Sequence, residues 1–116
     1  ISRGLVGSEM CIRDSIMRDA KLLEEAGSFS MVLECVQTSL AKQVTKSVSI
    51  PTIGIGASNN CDGQILVFDD LIGLNPIKFR FVKKYSNIKT EISKAVSKYA
   101  SEVKKRKFPS KKYSFN

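Results

Sequence analysis

Helix-like and strand-like apolar patterns alternate along this chain, and the alternation predicts an α/β fold built on parallel strands. Three observations carry that reading. Ile16, Met17, Ala20, Leu23 and Ala26 recur at helical spacing. Short apolar runs at 29–36, 52–56 and 64–68 fit strands buried on both faces. Further amphipathic segments lie between or after those runs. The chain has 116 residues, 42% of them hydrophobic and 26% charged, which suits one small domain and excludes disorder by composition. No apolar run approaches the roughly 18–20 residues of a bilayer-crossing helix.

In order, the first helix runs from Ile16, with Arg18, Asp19, Lys21, Glu24 and Glu25 between its apolar positions and Gly27 as its stop. Phe29 to Val36 reads as the first strand. Thr38 or Ser39 then caps a helix that turns Leu40, Ala41, Val44 and Val48 inward and Lys42, Gln43, Thr45 and Lys46 to water. Ser49-Ile50-Pro51 ends it, and Thr52 to Gly56 forms the second strand. Asn59, Asn60, Asp62 and Gly63 are turn residues, followed by a third strand over Gln64–Phe68. Ile88, Ile92, Ala95, Val96, Tyr99 and Val103 define a last amphipathic helix capped by Asn87.

Three parallel strands joined by right-handed crossovers cannot cover both faces of a sheet or close a barrel. A (β/α)8 barrel needs on the order of 250 residues. Residues 16–116 are therefore expected to be a piece of a larger domain. Residues 1–15, above all Leu5-Val-Gly-Ser-Glu-Met-Cys-Ile-Arg-Asp-Ser15, have no clear period. They read as a non-native leader translated from sequencing-adapter DNA, the other reading being a genuine flexible leader.

The net charge of +8 is concentrated at one end. From Lys83 onward eleven Lys and Arg face two acids, Glu91 and Glu102, whereas residues 1–82 carry −1. A Lys-rich last helix is most simply a solvated face that opposes the helix macrodipole. A basic stripe alone is a weak nucleic-acid signal, and nothing in the tail resembles a base-stacking platform. The chain has no His, which excludes Ser-His-Asp and Cys-His catalysis and His-ligated metal sites. Cys11, Cys35 and Cys61 are odd in number and widely spaced, so neither a disulfide framework nor a zinc cluster is suggested. No secretory signal is visible, and a reducing cytoplasm is the expected compartment.

Glu34 is the candidate catalytic residue. It lies in Met31-Val-Leu-Glu-Cys-Val36, near the carboxyl end of the first strand, where α/β folds place their active sites. Burial there would raise its pKa toward that of a general base or acid near neutrality. Pattern alone leaves this level with a Glu that caps a helix or meets a Lys at an edge. Asp69-Asp70 closes the third strand. Paired acids can hold Mg2+, but two do not make a site, and capping the helical turn near Leu71 is the simpler role. Gly54-Ile-Gly56 opens like a dinucleotide fingerprint but lacks the third glycine, so close strand packing or room for a ligand is the better reading. Cys35 is read as a small core residue and Cys61 as a loop thiol.

Several blocks in register carry a resemblance. Leu22-Leu-Glu-Glu-Ala-Gly27, Met31-Val-Leu-Glu-Cys-Val36, Leu40-Ala-Lys42, Ile50-Pro-Thr-Ile-Gly-Ile-Gly-Ala57 and Cys61-Asp-Gly-Gln-Ile-Leu-Val67 resemble the ketopantoate hydroxymethyltransferase family. So do Asp70-Leu-Ile-Gly-Leu74, Phe81-Val-Lys-Lys-Tyr85 and the closing Phe108-Pro and Ser114-Phe115. The resemblance runs in order from Ile16 to Phe115. It implies a (β/α)8 TIM barrel, of which this chain supplies the last three strands and flanking helices. It implies a cytoplasmic, Mg2+-dependent transferase of pantothenate biosynthesis, usually a homodecamer. The family transfers a one-carbon unit from 5,10-methylenetetrahydrofolate to 3-methyl-2-oxobutanoate, giving 2-dehydropantoate. Mg2+ polarises the oxo acid's carbonyl, and a base, implied here to be Glu34, removes the C3 proton.

The chain departs from the family pattern at Gln37, where Pro is common, and at Ser58, where a third Gly is common. It departs again at Asp69 and Tyr113, where His is common. The family's Mg2+ ligands and most of its substrate contacts come from earlier strands, so no metal ligand is assigned here, substrate-binding residues stay unknown, and this chain alone is expected to be inactive. Two alternatives stand beside this reading. One is a freestanding basic module binding nucleic acid through the Lys-rich helix; the other is a different Mg-dependent barrel acting on 2-oxo acids.

Overall fold

The computed structural model describes residues 6–116. The chain divides at Leu66 and Val67 into two compact units. In the first, helix α1 (Val6–Glu25) leads into strand β1 (Met31–Glu34), helix α2 (Thr38–Ser47), strand β2 (Thr52–Ile55) and strand β3 (Gly63–Gln64). The three strands form one parallel sheet in the order β1-β2-β3, as the apolar runs predict. Of the segment read as a leader, residues 1–5 lie outside the described residues. Residues 6–15 belong to α1, which opens well before Ile16. Arg13 ties that part of the helix to α2, donating to Gln43 Oε1 at 2.6 Å and Ser39 Oγ at 3.2 Å.

Gly27 stops α1 as expected. At φ 94° it lets Ser28 N–H reach Leu23 O and Gly27 N–H reach Glu24 O, the paired bonds of a left-handed helix terminus. The Glu24 carboxylate then clamps the loop ahead of β2. It accepts from Ser49 N–H at 2.5 Å, Ser49 Oγ at 2.9 Å and Ile50 N–H at 3.2 Å. The Ser49 amide and then its hydroxyl, with help from Ile50 N–H and Lys21, hold this carboxyl below its ordinary pKa.

The core joins Ala20 of α1, Met31 and Leu33 of β1, Leu40, Ala41 and Val44 of α2, and Cys61. Leu40, Ala41 and Val44 point inward as their spacing predicts, with Val48 packed alongside. Cys61 lies in the loop between β2 and β3, as read, but its thiol is buried in this core, 8% exposed. Neither Thr38 nor Ser39 caps α2. Gln37 takes the cap position through its backbone, while Thr38 Oγ1 leans toward Ala57 O and Ser39 Oγ accepts from Arg13. Thr45 is likewise not a free surface group: its hydroxyl bonds Ala41 O and Thr52 Oγ1, each at 2.8 Å.

Asp62 closes the far side of the sheet. Its Oδ2 accepts from the N–H of fully buried Thr52 at 2.8 Å and lies 3.3 Å from the Thr52 hydroxyl. β3 is far shorter than the predicted run over 64–68. It pairs with β2 at Ile53–Gly63 and Gly54–Gln64, and Ile65 N–H makes one more bond to Gly54 O. The chain then turns into helix α3 (Phe68–Leu71), whose first turn holds Asp69 and Asp70, the charge that suits a helix N-terminus.

The second unit contains α3, helix α4 (Ile88–Lys104) and a 3-10 turn at Lys111–Tyr113. α4 begins where the spacing predicts, with Asn87 at the cap position but no side-chain cap bond. Its apolar stripe exists but is bare: Ile92, Val96, Tyr99 and Val103 are all exposed. Among the described residues no helix is long and apolar enough to cross a membrane.

Candidate active site

Parallel strands bring their carboxyl ends to one rim of the sheet, and β1 brings Glu34 there. Burial along β1 alternates: Met31 and Leu33 are buried, Val32 and Glu34 exposed. This corrects the expectation of a strand buried on both faces and of a Glu34 buried among apolar neighbours. The helical core covers the Met31–Leu33 face, and no described residue packs over the opposite one closely enough to bury it. Cys35, read as a core residue, is exposed as well. A carboxylate in this position needs no ion partner to offset desolvation. Among the described residues none hydrogen-bonds the Glu34 side chain, and its residue is exposed.

Beside Glu34 an open trough of about 200 Å³ follows the free edge of β1, lined by Ile16, Asp19, Met31, Val32, Glu34 and Val36 among others. Asp19, one of the polar residues between the apolar positions of α1, is exposed and lines this trough.

The two glycines of the Gly-Ile-Gly block lie on the neighbouring strand, at and just beyond its end. A Cβ on Gly54 would stand 3.0 Å from Gln64 Oε1 and 3.2 Å from Cys61 Sγ, so close packing explains that glycine. The other acids are accounted for locally. Asp70 is 7% exposed and accepts from Asn75 Nδ2 at 2.7 Å, so it braces its own loop rather than capping α3. Asp69 lies exposed beside it, and its carbonyl accepts from Leu74 and Asn75. Among the described residues no three of His, Cys, Asp and Glu are grouped to hold a metal ion. The residues present do not fit a Mg2+ site.

Comparison with known proteins places these features in a family. The family model for ketopantoate hydroxymethyltransferase matches residues 5–111. A 3-methyl-2-oxobutanoate hydroxymethyltransferase of Pelagibacter ubique is 62% identical over 109 residues, covering 94% of this chain and 42% of the relative. Enzymes of the same name from Clostridium botulinum and Caulobacter vibrioides are 48% and 50% identical, covering 94% and 89% of this chain and 40% and 38% of their own. The chain thus spans about two fifths of the length of these relatives, corresponding to their C-terminal part. The match takes in the strand that carries Glu34 and both compact units, and the chain belongs to the ketopantoate hydroxymethyltransferase family.

Proposed function

We propose that this chain is the C-terminal part of a 3-methyl-2-oxobutanoate hydroxymethyltransferase and that Glu34 is its general base. The supporting observation is the placement of Glu34: a carboxylate with no hydrogen-bond partner among the described residues, exposed at the carboxyl end of a parallel strand, in a chain of this family. In this reading β1, β2 and β3 are the sixth to eighth strands of a (β/α)8 barrel, and Glu34 faces substrate at the barrel's catalytic rim.

The chemistry asked of Glu34 is proton abstraction from C3 of 3-methyl-2-oxobutanoate. That hydrogen is acidified by the adjacent carbonyl, over which the electron pair left on carbon delocalises. The pair then forms a carbon–carbon bond to the one-carbon unit of 5,10-methylenetetrahydrofolate, whose two carbon–nitrogen bonds break while one water supplies the hydroxyl oxygen and, together with the C3 proton, the hydrogens gained, giving 2-dehydropantoate and tetrahydrofolate. Exposure on this chain leaves the carboxylate reachable by a substrate. Mg2+ would supply Lewis-acid polarisation of the oxo acid, held by residues other than those of this chain. Assembly as a homodecamer in the cytoplasm belongs to the same reading. Nothing observed favours the freestanding nucleic-acid module or a different 2-oxo-acid barrel.

The test is loss of C3 hydrogen exchange. In the full-length enzyme carrying this segment, Glu34→Gln should slow deuterium uptake at C3 by about 10²–10⁴-fold, the usual worth of a positioned base. Uptake at the parental rate, followed by proton NMR in D2O, would remove Glu34 from the role. The 116-residue chain by itself should form no 2-dehydropantoate when given both substrates and Mg2+, and detectable product would overturn that part of the proposal.

A further inference from the structure

Two neighbouring strands leave the sheet in the same manner. Glu34 pairs with Ile55 on the last rung between β1 and β2, and the next residue on each strand is left-handed, Cys35 at φ 52° and Gly56 at φ 62°. Glycine takes that conformation freely. A residue with a Cβ seldom does, because the Cβ crowds the following carbonyl. Cys35 is held there by its N–H, which donates to Ile55 O at 2.9 Å and so extends the ladder one residue past the strand. The turn follows Glu34 directly. It orients the peptide that carries the Glu34 carbonyl and starts the chain on its way to Gln37 and α2. No side-chain hydrogen bond among the described residues orients the carboxylate, so its backbone does. Left-handed non-glycine residues are tolerated where a reactive group must be presented in one geometry.

We infer that Cys35 is a positioning residue for Glu34, acting through its left-handed backbone and not through its thiol. The inference rests on the assignment of Glu34 as base. It requires that tolerance at position 35 follow the ability to adopt positive φ, whatever the polarity or nucleophilicity of the side chain. Glycine and asparagine enter that region readily, alanine less so, and β-branched valine least.

The experiment compares Cys35→Gly, Cys35→Asn, Cys35→Ser, Cys35→Ala and Cys35→Val with Glu34→Gln in the full-length enzyme. It reads C3 deuterium uptake, kcat, KM for the oxo acid and Tm. Activity should rank Gly and Asn above Ala and Val, with kcat of the Val variant down by about 10²-fold, the scale of a misplaced catalytic group, and KM little changed. A purely structural role would lower Tm across the series without ordering kcat in this way. A Val variant as active as the parent overturns the inference, as does a Ser variant that outperforms both Gly and Asn, because the side-chain heteroatom would then be at work. If the Val variant does not fold, an Ala variant with the kcat of the Gly variant has the same consequence. Failure of the underlying assignment has a separate signature: uptake retained in Glu34→Gln, whatever the order at position 35.

Discussion

Glu34, Asp62 and Asp70 illustrate three fates of a carboxylate in one small chain. Asp62 and Asp70 spend oxygens on neighbours, Asp62 on Thr52 and Asp70 on Asn75, whereas Glu34 has no hydrogen-bond partner among the described residues. Removing Asp62 strands the Thr52 N–H, which sits in a residue with no solvent exposure. Asp62→Ala should therefore cost about 1–3 kcal/mol of stability, the price of an unpaired buried donor, read from urea unfolding. Gly54→Ala should also destabilise, by about 1–3 kcal/mol, since Cys61 Sγ and the Gln64 amide already stand at contact distance from the new methyl. The identity and strand position of Glu34 were legible in the sequence, because an acid inside Met31-Val-Leu-Glu-Cys-Val36 breaks an apolar run. Its exposure was not legible. Which face of a strand is covered depends on what packs there, and the run of apolar letters is the same either way.

At the scale of elements, spacing predicted α2 and α4 to within their first residues and found the inward positions Leu40, Ala41 and Val44. Caps and strand ends were less visible, because they are settled by competition for single hydrogen bonds. Thr38 and Ser39 are good capping residues by type, yet Ala57 O and Arg13 draw their hydroxyls elsewhere. β3 ends early because its partner runs out: β2 stops at Ile55 and Gly56 turns left-handed, so pairing ends with the bond from Ile65 N–H to Gly54 O. The packing prediction at this scale is direct. Leu40→Ala removes a nearly buried side chain from the α2 face and should cost about 2–5 kcal/mol, measured by chemical unfolding. The Glu24 clamp carries a pH dependence of fixed sign. Its folded-state pKa is lowered, so its contribution is complete above the ordinary carboxylate range and is lost as pH falls through the lowered value. The protection factors of the Ser49 and Ile50 amides, exchange rates corrected for the intrinsic effect of pH, should fall on acidification in the parent, and that acid-dependent fall should be absent in Glu24→Gln.

For the molecule as a whole, the sequence foretold an incomplete α/β body with its charge at one end, and the apolar surface agrees with the first part. Phe29, Val32, Phe68, Ile77, Val96, Tyr99 and Phe115 are all more than half exposed, far beyond the scattered apolar residues of an ordinary surface. The chain alone should bind a hydrophobic dye such as ANS at neutral pH, and the full-length enzyme should bind much less of it. Equal dye binding by the two would mean that these side chains remain uncovered in the complete protein. The bare edge of β1 has a further use. Met31 and Cys35 direct their amides to β2, so the alternation of a strand turns those of Val32 and Glu34 outward. Those two amides are a built-in gauge of assembly: quick to take up deuterium when nothing lies alongside, slow once another strand is seated, and placed within one residue of the carboxylate whose chemistry such seating would complete.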